Sequence, residues 1–305
     1  MSAARIAELN DRFAIPGHLT FAEGPGGLIL AKVANGQGEA MIALSGGHVM
    51  TWNPLGQRPV LWLSGFAKFA PGKSIRGGVP VCWPWFGNHA TESSFPGHGF
   101  ARTVPWSVEA SEALADGATR LTLRLEQSDA TRAQWPHASE AESVITIGRE
   151  LTFDLITRNR GAEPFVLGEA LHTYFAVSDI RHCPIQGLDG VTYLDKVDDW
   201  KRKQQSGAIH IDGEVDRGYV NTAGDCVIED PAWGRKILIQ KENANTTVVW
   251  NPGAAKAEKM GDFGPDGHLG MVCVESGNAF DNVVTTPAGG EHRMRVRYAV
   301  ASIAG

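Results

Sequence analysis

Residues 292–300 read HRMRVRYAV, with Arg293, Arg295 and Arg297 on one side of the alternation and Met294, Val296 and Tyr298 on the other. Only a strand half-buried on one face sorts side chains with a period of two; a helix would spread both sets around its axis. The same texture recurs in LTLRLEQ at 121–127, ITIGRELTFDLITRN at 145–159 and KILIQ at 236–240. Antiparallel strands with one wet face are therefore predicted along much of the chain. Helical spacing is confined to three short places. These are the N-terminus, where Ile6, Leu9 and Phe13 are spaced for a helix that Pro16-Gly17 ends, and stretches near 130–137 and 255–260. Many strands, few helices, 36 glycines and no internal repeat point to an all-β fold, a large antiparallel β-sandwich or a relative of one. A chain of 305 residues could hold two domains, but no linker is visible, and all-β folds of this size often form one. The expectation is a single domain over 1–305, with 1–17 as a helical extension. Residues 86–98 and 195–218 read as the two long irregular stretches, and long loops in compact domains tend to be functional.

Composition narrows the function classes. A net charge of −6 argues against general nucleic-acid binding, which needs a basic surface to neutralise phosphates. It leaves room for a small anion held by two local arginines. Cys82, Cys183, Cys226 and Cys273 are scattered among hydrophobic residues without CxxC pairing, so buried thiols in a reducing compartment are expected. The N-terminus MSAARIAELNDRF carries acids and no long apolar core, so it reads as neither signal nor transit peptide. No apolar run approaches the roughly 20 residues that span a bilayer. The cytoplasm is the expected location.

A few polar residues stand in unusually apolar settings. His172 lies in GEALHTYFAV at 168–177. A lone histidine there is usually a hydrogen-bonded core residue; the sharper reading is a partly buried imidazole that exchanges a proton near neutral pH. Glu275 follows four apolar residues in MVCVESGN at 271–278. It is either a strand end meeting water or an acid delivered to a cleft, where burial would raise its pKa toward that of a general base. Arg76 opens RGGVPVCWPWFGNH, and Arg102 follows a glycine-rich turn in PGHGFAR that also holds His98. A guanidinium fork suits phosphate or carboxylate, and the plain alternative is an ion pair with one of 34 acids. Gly77 and Gly78 would let backbone approach a ligand. Trp83, Trp85 and Phe86 could stack on a sugar, though aromatic clusters are more often core. His98, His172 and Glu275 could also form a two-histidine, one-carboxylate metal site, but no HxH or HExxH pattern supports it. No GxSxG, Walker or GxGxxG motif is present.

Taken in order, SIRGGVPVCWPWFGNH, PGHGFAR, LHTYF, VVWNP at 248–252, MGDFG at 260–264 and MVCVESGN resemble the hexose-6-phosphate mutarotases. These are the glucose-6-phosphate 1-epimerases of the galactose-mutarotase-like superfamily, and the resemblance runs from about residue 20 to the C-terminus. It implies the large sandwich of that superfamily and interconversion of the α and β anomers of a hexose 6-phosphate. By the same resemblance His172 is the general acid and Glu275 the general base. Arg76 and Arg102 bind substrate on the phosphate side, His98 lines the pocket, and Asp216 in GEVDRGYV contacts the sugar. Gly97 departs from relatives that carry a polar residue there, which bears on sugar preference. The reaction needs no cofactor and no metal. The expected partner is a small phosphosugar, with no nucleic acid and no membrane, and the expected state is a monomer. An aldose 1-epimerase of neutral sugars, a carbohydrate-binding module without catalysis and a metal-dependent sugar isomerase stand as alternatives.

Overall fold

The computed structural model describes residues 2–303. The alternating segments form strands where their pattern predicts them. Arg235–Glu242, Glu291–Ser302, Leu151–Asn159, Ser139–Ile147 and Thr119–Leu125 are consecutive neighbours in one eight-stranded antiparallel sheet. In the strand Glu291–Ser302, Met294, Val296 and Tyr298 are fully buried. Arg293 and Arg295, on its outer face, both reach the buried carboxylate of Asp154 on the neighbouring strand.

A second eight-stranded sheet packs over the first and carries Lys201–Gln204, Thr192–Asp195, Val215–Val220, Thr246–Asn251, Met271–Asn278, Glu169–Leu171 and Val81–Cys82 in that order. Tyr174–Ala176 pairs with the same Met271–Asn278 strand. Leu121, Ile145, Phe153 and Val296 of one sheet share a core with Tyr219, Val249, Val272 and Val274 of the other. The strand Met271–Asn278 is buried along its whole length. Val272 and Val274 point into the inter-sheet core, whereas Met271 and Cys273 join Tyr174, Trp250 and Phe263 in a second cluster on the opposite face. Covering on both faces is why this stretch reads as a continuous apolar run. A four-stranded meander, Leu19–Glu23 to His48–Pro54, and the pair Phe165–Leu167 with Val284–Thr286 complete the strand architecture.

The helices are few and short. Ser2–Phe13 buries Leu9 in the main core, and Asn10 exchanges two hydrogen bonds with the backbone of Phe21. Asp129–Gln134 starts at a capping box made by Ser128 and Thr131, and Gly253–Lys259 supplies the third helix. Residues 86–98 contain neither helix nor strand, as expected. The expectation for 195–218 needs correction, because Lys201–Gln204 pairs with Thr192–Asp195 and Val215 begins another strand. The strand KRKQ is polar on both faces and exposed at the sheet edge, so its alternation is silent. All four cysteines are buried and unpaired. Among the described residues no helix is long and apolar enough to cross a membrane.

Candidate active site

The site lies on the face of the second sheet turned away from the core. Cross-strand partners share a face, so the register fixes which side chains meet. One row across the sheet runs Asp216, Trp250, Cys273, Tyr174, and the next runs Gly218, Val248, Glu275. His172 falls in the break between Glu169–Leu171 and Tyr174–Ala176, opposite Glu275. Two hydrogen bonds, His172 N–H to Pro80 carbonyl and Tyr174 N–H to Gly78 carbonyl, fix this segment against the RGG turn.

The result is a close acid/base pair. His172 Nε2 lies 3.3 Å from Glu275 Oε1, with the carboxylate side chain 2% exposed and the imidazole 12%. Glu275 Oε2 and His172 Nδ1 have no hydrogen-bond partner. Burial raises the Glu275 carboxyl well above its usual range; Asp216 adds to this, and Arg102 and Lys196 oppose it. Burial lowers His172 well below its usual value, helped by His98, Arg102 and Arg76. Desolvation thus disfavours either charge alone, and the contact lets the two groups share one proton.

Arg76 and Arg102 both border the pair. Arg76 donates from Nη1 to the Tyr174 hydroxyl at 2.9 Å and from Nε to Asp262 Oδ1 at 3.2 Å, and its guanidinium lies over the Phe263 ring. Arg102 donates from Nη2 to the Gly97 carbonyl at 2.8 Å. His98 packs between Phe86 and His172, with ring centroids 4.7 and 5.7 Å away. Burial, Arg102 and Lys196 push it down to about 3, so it stays neutral at physiological pH. Asp216 Oδ2 lies 3.0 Å from Lys196 Nζ at the Glu275 end of the site. The fold therefore brings all six sequence-derived candidates, His172, Glu275, Arg76, Arg102, His98 and Asp216, to one region.

Two expectations change. Gly77 and Gly78, at φ +117° and +65°, leave room for protein backbone rather than for a ligand. A Cβ at Gly77 would meet the Trp62 carbonyl at 2.5 Å, and one at Gly78 the Val49 carbonyl at 2.3 Å. Their tight turn is held by His48, fully buried, whose Nε2 contacts the Gly77 carbonyl at 2.8 Å. The second change concerns metal-ligand geometry. His98 is not part of the cluster that gathers here: the ligand atoms of His172, Glu275 and Cys273 lie within 4.8 Å of one another. The tryptophans of the opening run are core, since Trp83 is inaccessible and Trp85 nearly so. A cavity of about 470 Å³ borders the Asp262 loop, lined by Phe66, Met260 and His268, and contains neither member of the acid/base pair.

Tyr174, Cys273, Lys196, Asp262 and His48 also stand in this region, although the sequence marks none of them as a site candidate. Tyr174 and Cys273 were within reach, because each stands two residues from a candidate on a strand and so shares its face. Asp262 lies in the MGDFG stretch and Lys196 within 195–218, where nothing local singles out either residue, and His48 lies in a distant strand without any such mark.

The chain is similar to several known proteins along most of its length. A family model described as aldose 1-epimerase matches residues 30–299. A protein of Escherichia coli assigned as a glucose-6-phosphate 1-epimerase is 39% identical over 260 residues, covering 85% of this chain and 86% of its own. A protein of Cenchrus ciliaris with the same assignment is 35% identical over 272 residues, covering 84% and 80%. The crystal structure of a protein from Salmonella typhimurium assigned as a mutarotase superposes with a TM-score of 0.87 at 35% identity, covering 95% of this chain and 96% of that one.

Proposed function

This chain belongs to the aldose 1-epimerase family, and from that premise we propose that it interconverts the α and β anomers of a hexose 6-phosphate, glucose 6-phosphate in particular, by acid/base-catalysed ring opening and reclosure. Membership makes it an isomerase. The observation that carries the mechanism is the 3.3 Å approach of His172 Nε2 to Glu275 Oε1. Mutarotation moves protons at two oxygens bonded to one carbon, so its acid and base must stand close together.

In the forward direction Glu275 takes the proton from the O1 hydroxyl while His172 gives one to the ring oxygen, and the C1–O5 bond breaks. The open aldehyde rotates about C1–C2, and the reverse transfers close the ring on the other face. The pair holds one proton throughout: carboxylate with imidazolium beside the closed sugar, carboxylic acid with neutral imidazole beside the open one. Each positioned group contributes typically ~10²–10⁴-fold.

The surrounding charges support an orientation. Arg76 acts electrostatically on His172, whereas Lys196 and Asp216 act on Glu275, and Arg102 acts on both. C6 hangs from the carbon that bears the ring oxygen, so the 6-phosphate falls on the His172 side, toward Arg76 and Arg102. There it competes with Asp262 for the Arg76 fork. Asp216 and Lys196 then face the hydroxyls on the O1 side. Remote binding of the phosphate in this way orients C1 against the pair.

The same reading takes residues 1–305 as one domain acting as a monomer in the cytoplasm, a compartment that four unpaired thiols fit. The test is anomer exchange followed by NMR for glucose 6-phosphate and for glucose, in the native enzyme and in Glu275→Gln and His172→Asn. Faster exchange of the phosphosugar, nearly abolished in both variants with binding retained, is expected. Equal rates for the two sugars would overturn the substrate, and near-native turnover in either variant would remove that residue from the mechanism.

A further inference from the structure

Cys273 takes no part in these proton transfers, yet its thiol is fully buried beside the groups that do. It precedes Glu275 by two residues on one strand and stands opposite Tyr174, which follows His172 by two on the neighbouring one. Both pairs share the face of the sheet that carries the site. Three different donor types converge as a result: the His172 imidazole, the Glu275 carboxylate and the Cys273 thiol, with ligand atoms within 4.8 Å of one another.

We propose that these three side chains form a binding site for a borderline-soft divalent cation, zinc above all, and that its occupancy blocks the sugar site. Geometry supports it. Zinc binds nitrogen and oxygen at ~2.0–2.1 Å, which places two such ligands of a tetrahedral ion about 3.3–3.4 Å apart. His172 Nε2 and Glu275 Oε1 are 3.3 Å apart with nothing bound. A zinc–sulfur bond of ~2.3 Å asks for a sulfur about 3.6 Å from the other donors. The thiol therefore has at most about 1.2 Å to close from its present limit of 4.8 Å. The second carboxylate oxygen, Glu275 Oε2, is buried and without a partner, which leaves the acid free to turn toward an ion. Soft sulfur with imidazole selects zinc over magnesium, which prefers an all-oxygen shell.

Binding as thiolate, carboxylate and neutral imidazole gives an electrically neutral cluster, releasing the thiol proton and the one that His172 and Glu275 share. Two features keep the ion exchangeable rather than structural. His172 Nδ1 has no partner to orient the ring as a ligand, an omission that typically costs ~10–100-fold in affinity. Arg76, Arg102 and Lys196 also add positive charge around the site. The ion and the anomeric carbon need the same space between His172 and Glu275, so zinc should compete with the phosphosugar.

The test uses chelator-treated full-length protein with zinc, magnesium or cobalt salts as probes. Zinc at micromolar concentrations should inhibit anomer exchange competitively, EDTA should reverse this, and magnesium at equal concentration should not inhibit. Cys273→Ser should keep metal-free turnover within about twofold and need at least ~tenfold more zinc for half-inhibition. Cys273→Ala replaces it if the serine variant does not fold. Without any substrate, cobalt should give a thiolate-to-metal charge-transfer band in the native protein that the Cys273 variant lacks. Equal zinc sensitivity of native and variant, inhibition by magnesium alike, or absence of the cobalt band would each overturn the proposal. The cobalt band does not depend on catalysis, so it also separates failure of this site from failure of the proposed reaction.

Discussion

Replacing Arg76 by alanine removes the cation assigned to the phosphate, and the local geometry sets the size of the effect. At an effective dielectric of about 20, two unit charges 4 Å apart interact by ~4 kcal/mol. Arg76 does not give all of that to a ligand, because Asp262 already sits 3.2 Å from its Nε. Exchanging one anionic partner for another leaves the net value of a charge-assisted hydrogen bond, ~1.5–3 kcal/mol. That corresponds to about 10–150-fold in kcat/KM, at a factor of ten per 1.4 kcal/mol. The substitution also strips the buried Tyr174 hydroxyl of its donor, a structural cost of ~1–3 kcal/mol that applies whichever sugar is bound. Comparing two substrates cancels this shared cost. In an NMR exchange assay, the loss for glucose 6-phosphate should exceed the loss for glucose by about 10–150-fold. Equal losses would mean that Arg76 serves the fold through Tyr174 and Asp262, and the phosphate would have to be placed elsewhere.

The pH–rate profile should be a broad plateau. Removing the shared proton leaves a buried carboxylate near Asp216, and adding a second creates an imidazolium near Arg76, Arg102 and the neutral His98. Burial opposes both, so the acid limb of kcat/KM should fall well below 6.5 and the basic limb well above 4.5. An acid limb at 6.5 would show an ordinary, solvated imidazole. The RGG turn offers a stability test. Gly78→Ala adds a Cβ 2.3 Å from the Val49 carbonyl at φ +65° and should cost about 2–4 kcal/mol in urea unfolding. Gly207→Ala, at φ +64° with nothing within 4 Å, should cost only about 1 kcal/mol, and similar losses for the two would remove the packing argument.

Period-two alternation makes the half-buried antiparallel strands of the first sheet legible in the sequence, because such a strand imposes that pattern along its own length. Helical spacing at Ile6, Leu9 and Phe13 did the same for the N-terminal helix. The edge strand Lys201–Gln204 escaped because both of its faces are wet, so burial leaves no mark on its residues. His172 and Glu275 stood out as polar residues in apolar runs, and that much is local. Their 3.3 Å contact is not local, since it depends on how two distant strands are paired. The same holds for Asp262 against Arg76, Lys196 against Asp216, and the Cys273 thiol beside the acid/base pair. Sequence by itself determined where the half-buried strands run and which side chains each of them turns to a given face. Tertiary structure alone decided which faces meet and in what register, because those contacts join residues whose local patterns carry no information about one another.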